Sequence, residues 1–408
     1  VRAWLDVYDA AGNRLGDGPV RAVESVTVTR KLDGAGGIEL TVAGTDARAL
    51  GLLVGGRRVT AWALLGGQAR ALGRGVVRGR KIAADGATLA VRGPDELSAL
   101  SQVSTLPGRV YEDAPLADVI ADLVSLAPGW SATVAGGLGA YSGRFDGESA
   151  LKAIQTVTEQ QGVHFRQAAS GQVIEVGALG DDSGLWLVGK GRIGQEIYQN
   201  DDVALIEALT LDHSSEAVAN WIIPFGGGEG AARLTLAAST RTGPYAIESL
   251  TGPDGQGVYY LQDAGSIATY GLMQQRLDLP NITAASSDPA DVARAADMLY
   301  DAAAAWLARY SLAQDVYEAA VQKAWARTLL PGQKVHIRYR GFVYRDGATV
   351  DWLDVDEDFW ALEVVERLSA SAGQSVGLKL GSVDRPASSA AQALVDAIDT
   401  LQTLTRKR

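Results

Sequence analysis

The sequence predicts an α+β chain in which short antiparallel strands dominate and helical segments interrupt them twice. Residues 3 to 92 hold short apolar runs at regular spacing, divided by turn residues. After Pro94 the apolar period becomes helical, and strand chemistry returns at Leu185. A second, longer helical repeat follows Pro289 before strands resume at Gln314. At 408 residues the chain is too long for one ordinary core, so several domains are expected.

The first strands are read at 3–8, 23–30, 37–42, 58–65, 71–81 and 88–91. Turns such as Leu32-Asp33-Gly34-Ala35-Gly36 and Ala84-Asp85-Gly86 divide them, the pattern of a small barrel or sandwich. Leu116, Val119, Ile120, Leu123 and Val124 then define a helix, with Asp113 expected as its cap and Pro128-Gly129 as its stop. Leu151, Ile154 and Val157 define a second, ending at Gly162. A hairpin of 163–166 with 172–176 completes a compact α/β unit that reads as an insertion.

Asn220-Trp221-Ile222-Ile223-Pro224-Phe225-Gly226-Gly227-Gly228 reads as a buried strand running into a glycine turn, with Pro224 at an edge or bulge. Asp288-Pro289 caps the longest helix, where Val292, Ala295, Leu299, Ala303, Trp306 and Tyr310 recur at three- and four-residue steps. Strands follow at 314–321, 334–340, 349–353, 359–367 and 376–380. A final helix carries a seam of Ala391, Leu394, Ile398, Leu401 and Thr405. That seam is too short to hold a coiled coil alone, and it suits either an already assembled oligomer or packing on its own domain.

Composition removes whole classes of chemistry. Without cysteine there is no disulfide, thiolate metal site or Cys nucleophile, and three histidines nearly exclude imidazole-rich zinc sites. No apolar run reaches the ~18 residues of a membrane span, and no secretory leader is evident. The net charge of −11 is uneven. Residues 1–110 hold 15 Arg or Lys against 10 Asp or Glu, which leaves −16 for the rest. An acidic body argues against a phosphate-gripping nucleic-acid reader.

Individual constellations stay below a catalytic assignment. Gly189-Lys190-Gly191-Arg192-Ile193-Gly194 has dinucleotide-loop spacing but no following helix, and Gly191 stands where a Walker motif needs Ser or Thr. Asp351, Asp354, Asp356, Glu357 and Asp358 are read as a solvated hairpin tip, since Phe359 occupies the position where a calcium loop needs Gly. Asp181-Asp182 reads as a turn, and His164 as a core or edge histidine. His213 beside Ser214 and Ser215 lacks a Gly-x-Ser-x-Gly elbow. Trp186, Trp221, Trp306 and Trp360 sit in apolar runs and are read as packing residues. Accordingly no catalytic residue, cofactor or metal ligand is assigned.

Taken in order, several pieces resemble the hub proteins at the tip of long-tailed bacteriophages and of contractile injection systems. They are Arg30-Lys31-Leu32 with Gly34 to Leu40, Leu151 to Gln161 leading into Gly162-Val163-His164-Phe165, and Asn220 to Gly228. Ser266-Ile267 with Tyr270-Gly271, and Leu330-Pro331-Gly332-Gln333-Lys334-Val335, complete the set. The resemblance implies two tube-type antiparallel β-barrel domains, each with an inserted α/β subdomain, plus a short C-terminal helix. Its boundaries fall at 1–95 (first barrel), 96–180 (insertion), 181–245 (completion of the first barrel, including Asn220 to Phe225), 246–312 (second insertion), 313–385 (second barrel) and 386–408. It further implies a homotrimer adapting a sixfold tail tube to a threefold tip. A tail-tube or distal-tail ring would lie on one side and tip, fibre or spike proteins on the other, with no sequence-specific nucleic-acid binding and no membrane insertion. The chain stops soon after the second barrel, which implies a scaffold without an appended hydrolase. Two other classes stay open: a cell-wall hydrolase using Asp181, His213 or the 354–358 carboxylates, and a carbohydrate- or receptor-binding module.

Overall fold

The computed structural model of the chain describes residues 2–65, 67–169, 171–189, 202–253, 255–321, 328–345 and 348–382. It is α+β and strand-rich, with four hydrophobic cores.

The first unit contains β1 (Arg2–Tyr8), β2 (Val23–Lys31), β3 (Gly34–Ala43), α1 (Ala47–Leu52), β4 (Arg58–Leu65), β5 (Gln68–Val76), β6 (Gly79–Ile82) and β7 (Thr88–Pro94). Two sheet segments, β1-β4-β5 and β2-β3-β7-β6, face each other. Alternation decides the facing residues: Val26 and Val28 of β2, and Ile38, Leu40 and Val42 of β3, point into one core with Leu5 and Leu72. The expected strand 71–81 is two strands in different sheets, because the chain turns at Val77-Arg78.

A first α/β lobe follows: β8 (Pro107–Pro115), α2 (Leu116–Ser125), β9 (Ser131–Val134), β10 (Ala140–Asp146), α3 (Ala150–Gln160), β11 (His164–Gln167) and β12 (Val173–Gly177). The apolar faces read from the sequence pack in its core, including Val119, Ile120, Leu123, Ile154 and Val157. Pro115, not Asp113, is the residue before α2, and Asp113 has φ 46° within β8.

Next come β13 (Asp182–Gly189) and β14 (Val203–Ser214), then a second α/β lobe. This lobe holds β15 (Trp221–Phe225), β16 (Glu248–Thr251), β17 (Gly257–Gln262), α4 (Ala264–Tyr270), β18 (Gln274–Asp278) and α5 (Pro289–Tyr310). Asp288 caps α5 through the Ala290 amide, with Pro289 in its first turn, and Ala295, Leu299 and Ala303 form its buried face. The chain closes with β19 (Gln314–Val321), β20 (Lys334–Arg345), β21 (Ala348–Ser369) and β22 (Gly373–Gly381).

Strand pairing corrects the expected division. The order β20-β13-β14-β19-β22-β21 is closed by pairing of β20 with β21, so six strands form a ring of pairings around one core. Strands β13 and β14, expected to complete the first barrel, lie in this ring with β19 and β20. The expectation that Asn220–Phe225 pairs within the first 95 residues also fails: β15 pairs with β17 and β18. Nearby partners cover its apolar side chains, with Ile222 in the core beneath α5.

β21 runs 22 residues where two strands were expected. Its first half pairs with β20, and its second half pairs with β22 on one side and β2 on the other, so one strand serves both β units.

Candidate functional site: the junction of the four units

The turn after β2 is the point on which the units converge. Asp33 takes φ 56°, a left-handed conformation that Asp tolerates. Its amide donates to the Phe165 carbonyl at 3.0 Å, and its Oδ1 accepts from the Phe165 amide at 2.8 Å. Its Oδ2 lies 2.6 Å from Nδ1 of the fully buried His164. Nη2 of Arg309, near the end of α5, lies 3.4 Å from the other imidazole nitrogen. Arginine has no acceptor, so Nε2 accepts there and the proton sits on Nδ1, facing Asp33. Trp360 of β21 packs 5.9 Å from the same ring. First unit, both lobes and the six-strand ring therefore touch around one imidazole.

A second layer fixes the exit from the first lobe. Arg166, itself buried, donates to Glu175 at 2.7 Å and to Asp181 and the Pro331 carbonyl at 3.3 Å each. Asp181 also accepts from Gln333 at 2.7 Å, and the Gly180 amide donates to Gly332 at 2.7 Å. The Leu330 to Val335 segment thus starts β20 while clasping the lobe. Gly180 is required here, because a Cβ would lie 2.5 Å from the Trp360 ring.

The two β units are pinned by Glu366 of β21, which is buried between Arg30 at 3.3 Å and Arg70. The two lobes are pinned by a reciprocal amide pair: Gln160 donates to Asn281 and Asn281 to Gln160, both at 2.9 Å, with Asn281 also donating to the buried Tyr141 hydroxyl at 2.8 Å. Burial pushes the Tyr141 hydroxyl up. A cleft of about 420 Å³ opens beside this pair, lined by Arg144, Lys152, Glu159 and Trp306 among others. Desolvation raises the Glu159 carboxyl, opposed by the Arg309 and Lys152 charges.

The remaining candidates are surface pairs. Asp354, Asp356 and Asp358 do not form a hairpin tip. They lie inside β21, directly opposite Arg340, Arg338 and His336 of β20. His336 stands 2.8 Å from both Asp356 and Asp358 and packs on Trp186, whose ring centroid is 4.0 Å away. Trp186 is therefore a half-exposed outer-face residue, not core. His213 meets Asp315 directly across β14 and β19, both well exposed, which makes them an ordinary cross-strand pair. Among the described residues no group of three or more His, Asp or Glu could hold a metal, and no helix is long and apolar enough to cross a membrane. Leu394, Ile398, Leu401 and Thr405, and the Lys190 to Gly194 part of the glycine pattern, lie outside the described residues. Sequence reading missed the Asp33–His164, Arg30–Glu366 and Gln160–Asn281 contacts, whose partners lie 131, 336 and 121 positions apart.

No protein-family model and no curated protein matches the sequence. Solved structures do. A tail protein from Neisseria meningitidis aligns with TM-score 0.58 at 14% identity, over 94% of this chain and 97% of that one. The 43 kDa tail protein of prophage MuSo2 from Shewanella oneidensis aligns with TM-score 0.56 at 14% identity, over 93% and 98%. The chain has the fold of phage tail proteins. A prophage tail protein from Listeria monocytogenes aligns with TM-score 0.50 at 11% identity, over 98% of this chain and 99% of that one. Because both members of each pair are covered nearly end to end, the likeness runs along the length of the chain.

Proposed function

We propose that this chain is the structural hub of a phage or phage-like tail tip. It acts as a homotrimeric adaptor between a sixfold tail tube and a threefold tip, in the virion at the distal end of the tail, and lines the channel through which DNA passes. The observation that carries this reading is the single strand β21, shared between the six-strand ring and the first β unit. Each copy then contributes two β units joined rigidly side by side, read here as two tube-type barrels. Three copies supply six. On the corrected pairing, the second barrel comprises 182–214 and 314–381, with the 215–312 lobe inserted in it, and the first lobe links the barrels.

The role is mechanical, not enzymatic. Its contacts are with neighbouring tail proteins and its own copies, and a net charge of −11 suits a lumen past which DNA slides without sticking. Mass measurement in solution and low-resolution imaging test the reading. A threefold ring is expected, and a chain that stays monomeric at every salt concentration, alone and with its neighbouring tail proteins, overturns it.

A further inference from the structure

We propose that the β6–β7 hairpin is a docking edge on which an acidic, extended segment of a different tail protein adds as a further strand beside β6. Three observations on the first unit carry it, and the identity of the partner as a tail protein rests on the hub reading.

β6 is the terminal strand of the ten-stranded sheet and, among the described residues, pairs only with β7. Its outer backbone edge is thus open to strand addition. Arg78, Arg80, Lys81 and Arg92 are all exposed on this hairpin, and among the described residues none makes an ion pair; Arg80 donates to the Leu50 carbonyl at 3.1 Å. Over residues 78–92 these four cations face one acid, Asp85, a local balance of +3 on a chain of −11. Beside them runs an open groove of about 480 Å³, lined by Lys31, Glu39, Arg78, Gly79, Arg92 and Gly93 among others. Ile82, 51% exposed, adds an apolar step at the end of the strand.

The occupant follows from charge and shape. An open strand edge offers backbone donors and acceptors to another strand, which duplex DNA cannot use, and the body of the chain repels phosphate. None of the longer segments of this chain outside the described residues is acidic. Residues 383–408 hold three Asp against four Arg or Lys, residues 190–201 two acids against two bases, and residues 322–327 two bases and no acid. The complementary strand therefore comes from another chain. Cationic edges also guard against self-pairing, and the same charges would admit only an acidic partner.

The test uses the full chain and three fluorescent probes: a peptide of alternating Glu and Val, one of alternating Lys and Val, and a mixed-sequence DNA duplex. The Glu peptide is expected to bind, to slow amide exchange within Gly79–Ile82, and to weaken about tenfold or more in the triple variant Arg78→Ser, Lys81→Thr, Arg92→Thr. These are surface positions, and unchanged circular dichroism confirms that the variant folds. Equal binding of the Lys peptide, no binding of either, or unchanged affinity in the variant overturns the proposal. So does tighter binding of DNA. A variant that self-associates without losing the Glu peptide shows that the charges only guard the edge. A chain that forms threefold rings yet ignores the Glu peptide refutes this inference alone and leaves the hub reading intact.

Discussion

Glu366 ties the two β units together through charge. It is buried, and the Arg30 and Arg70 guanidiniums reach it from the first unit. Removing one member of a buried ionic group leaves the others charged without compensation, which costs about 3–5 kcal/mol. Glu366→Ala should lower the unfolding free energy by that order in urea titration. Asp95 works in the opposite sense. Burial pushes its carboxyl from 3.8 up to about 6, although the Gly36 amide donates to one oxygen at 2.6 Å, and its other oxygen is buried without a hydrogen-bond partner. The folded state holds this proton more tightly than the unfolded state. Its stabilising contribution is therefore full below about pH 3.8 and is lost as pH rises through about 6. Asp95→Asn keeps an acceptor for Gly36, so it should stabilise by about 1–3 kcal/mol at pH 7.5. At pH 4 it should have little effect, as thermal melts at the two pH values will show.

At the scale of elements, local chemistry made the helices readable. Asp288-Pro289 marked the start of α5 correctly, because a cap and a first-turn proline act within a few residues of each other. Asp113 misled for the complementary reason: it sits at an irregularity in the pairing of β8 with β10, with φ 46° and its amide donating to Ser142 Oγ at 2.6 Å, and Pro115 stands before α2 instead. The acidic run of β21 misled because exposed carboxylates suggest a loop, whereas partners on β20 give each alternate Asp an Arg or His opposite. Glycines divide by what surrounds them. A Cβ on Gly93 would sit 1.8 Å from the Val76 carbonyl, while one on Gly51, within α1, would meet nothing. Gly93→Ala should cost about 1–3 kcal/mol or more from overpacking, and Gly51→Ala should gain about 0.5–1 kcal/mol. Paired melting curves distinguish the two.

At the scale of the molecule, the two lobes meet through part-buried polar contacts, the Gln160–Asn281 pair among them. Asn281→Ala would leave the buried Gln160 amide and Tyr141 hydroxyl without their partner. It should cost about 1–3 kcal/mol. Faster hydrogen exchange is expected in α3 and α5, with the six-strand ring unchanged. The sequence by itself determined the α+β class, the absence of cysteine chemistry, most helices and many strands, because periods of two and 3.6 residues are local properties. It also carried a likeness to phage tail proteins, which the comparisons bear out at the level of the fold. Only the tertiary structure decided which strands pair, that 182–214 belongs with 314–381, and that one strand serves both β units. Pairing of Arg30 with Val364, or of His164 with Asp33, depends on register and packing between residues more than a hundred positions apart. No local pattern in a single sequence encodes a contact at that distance.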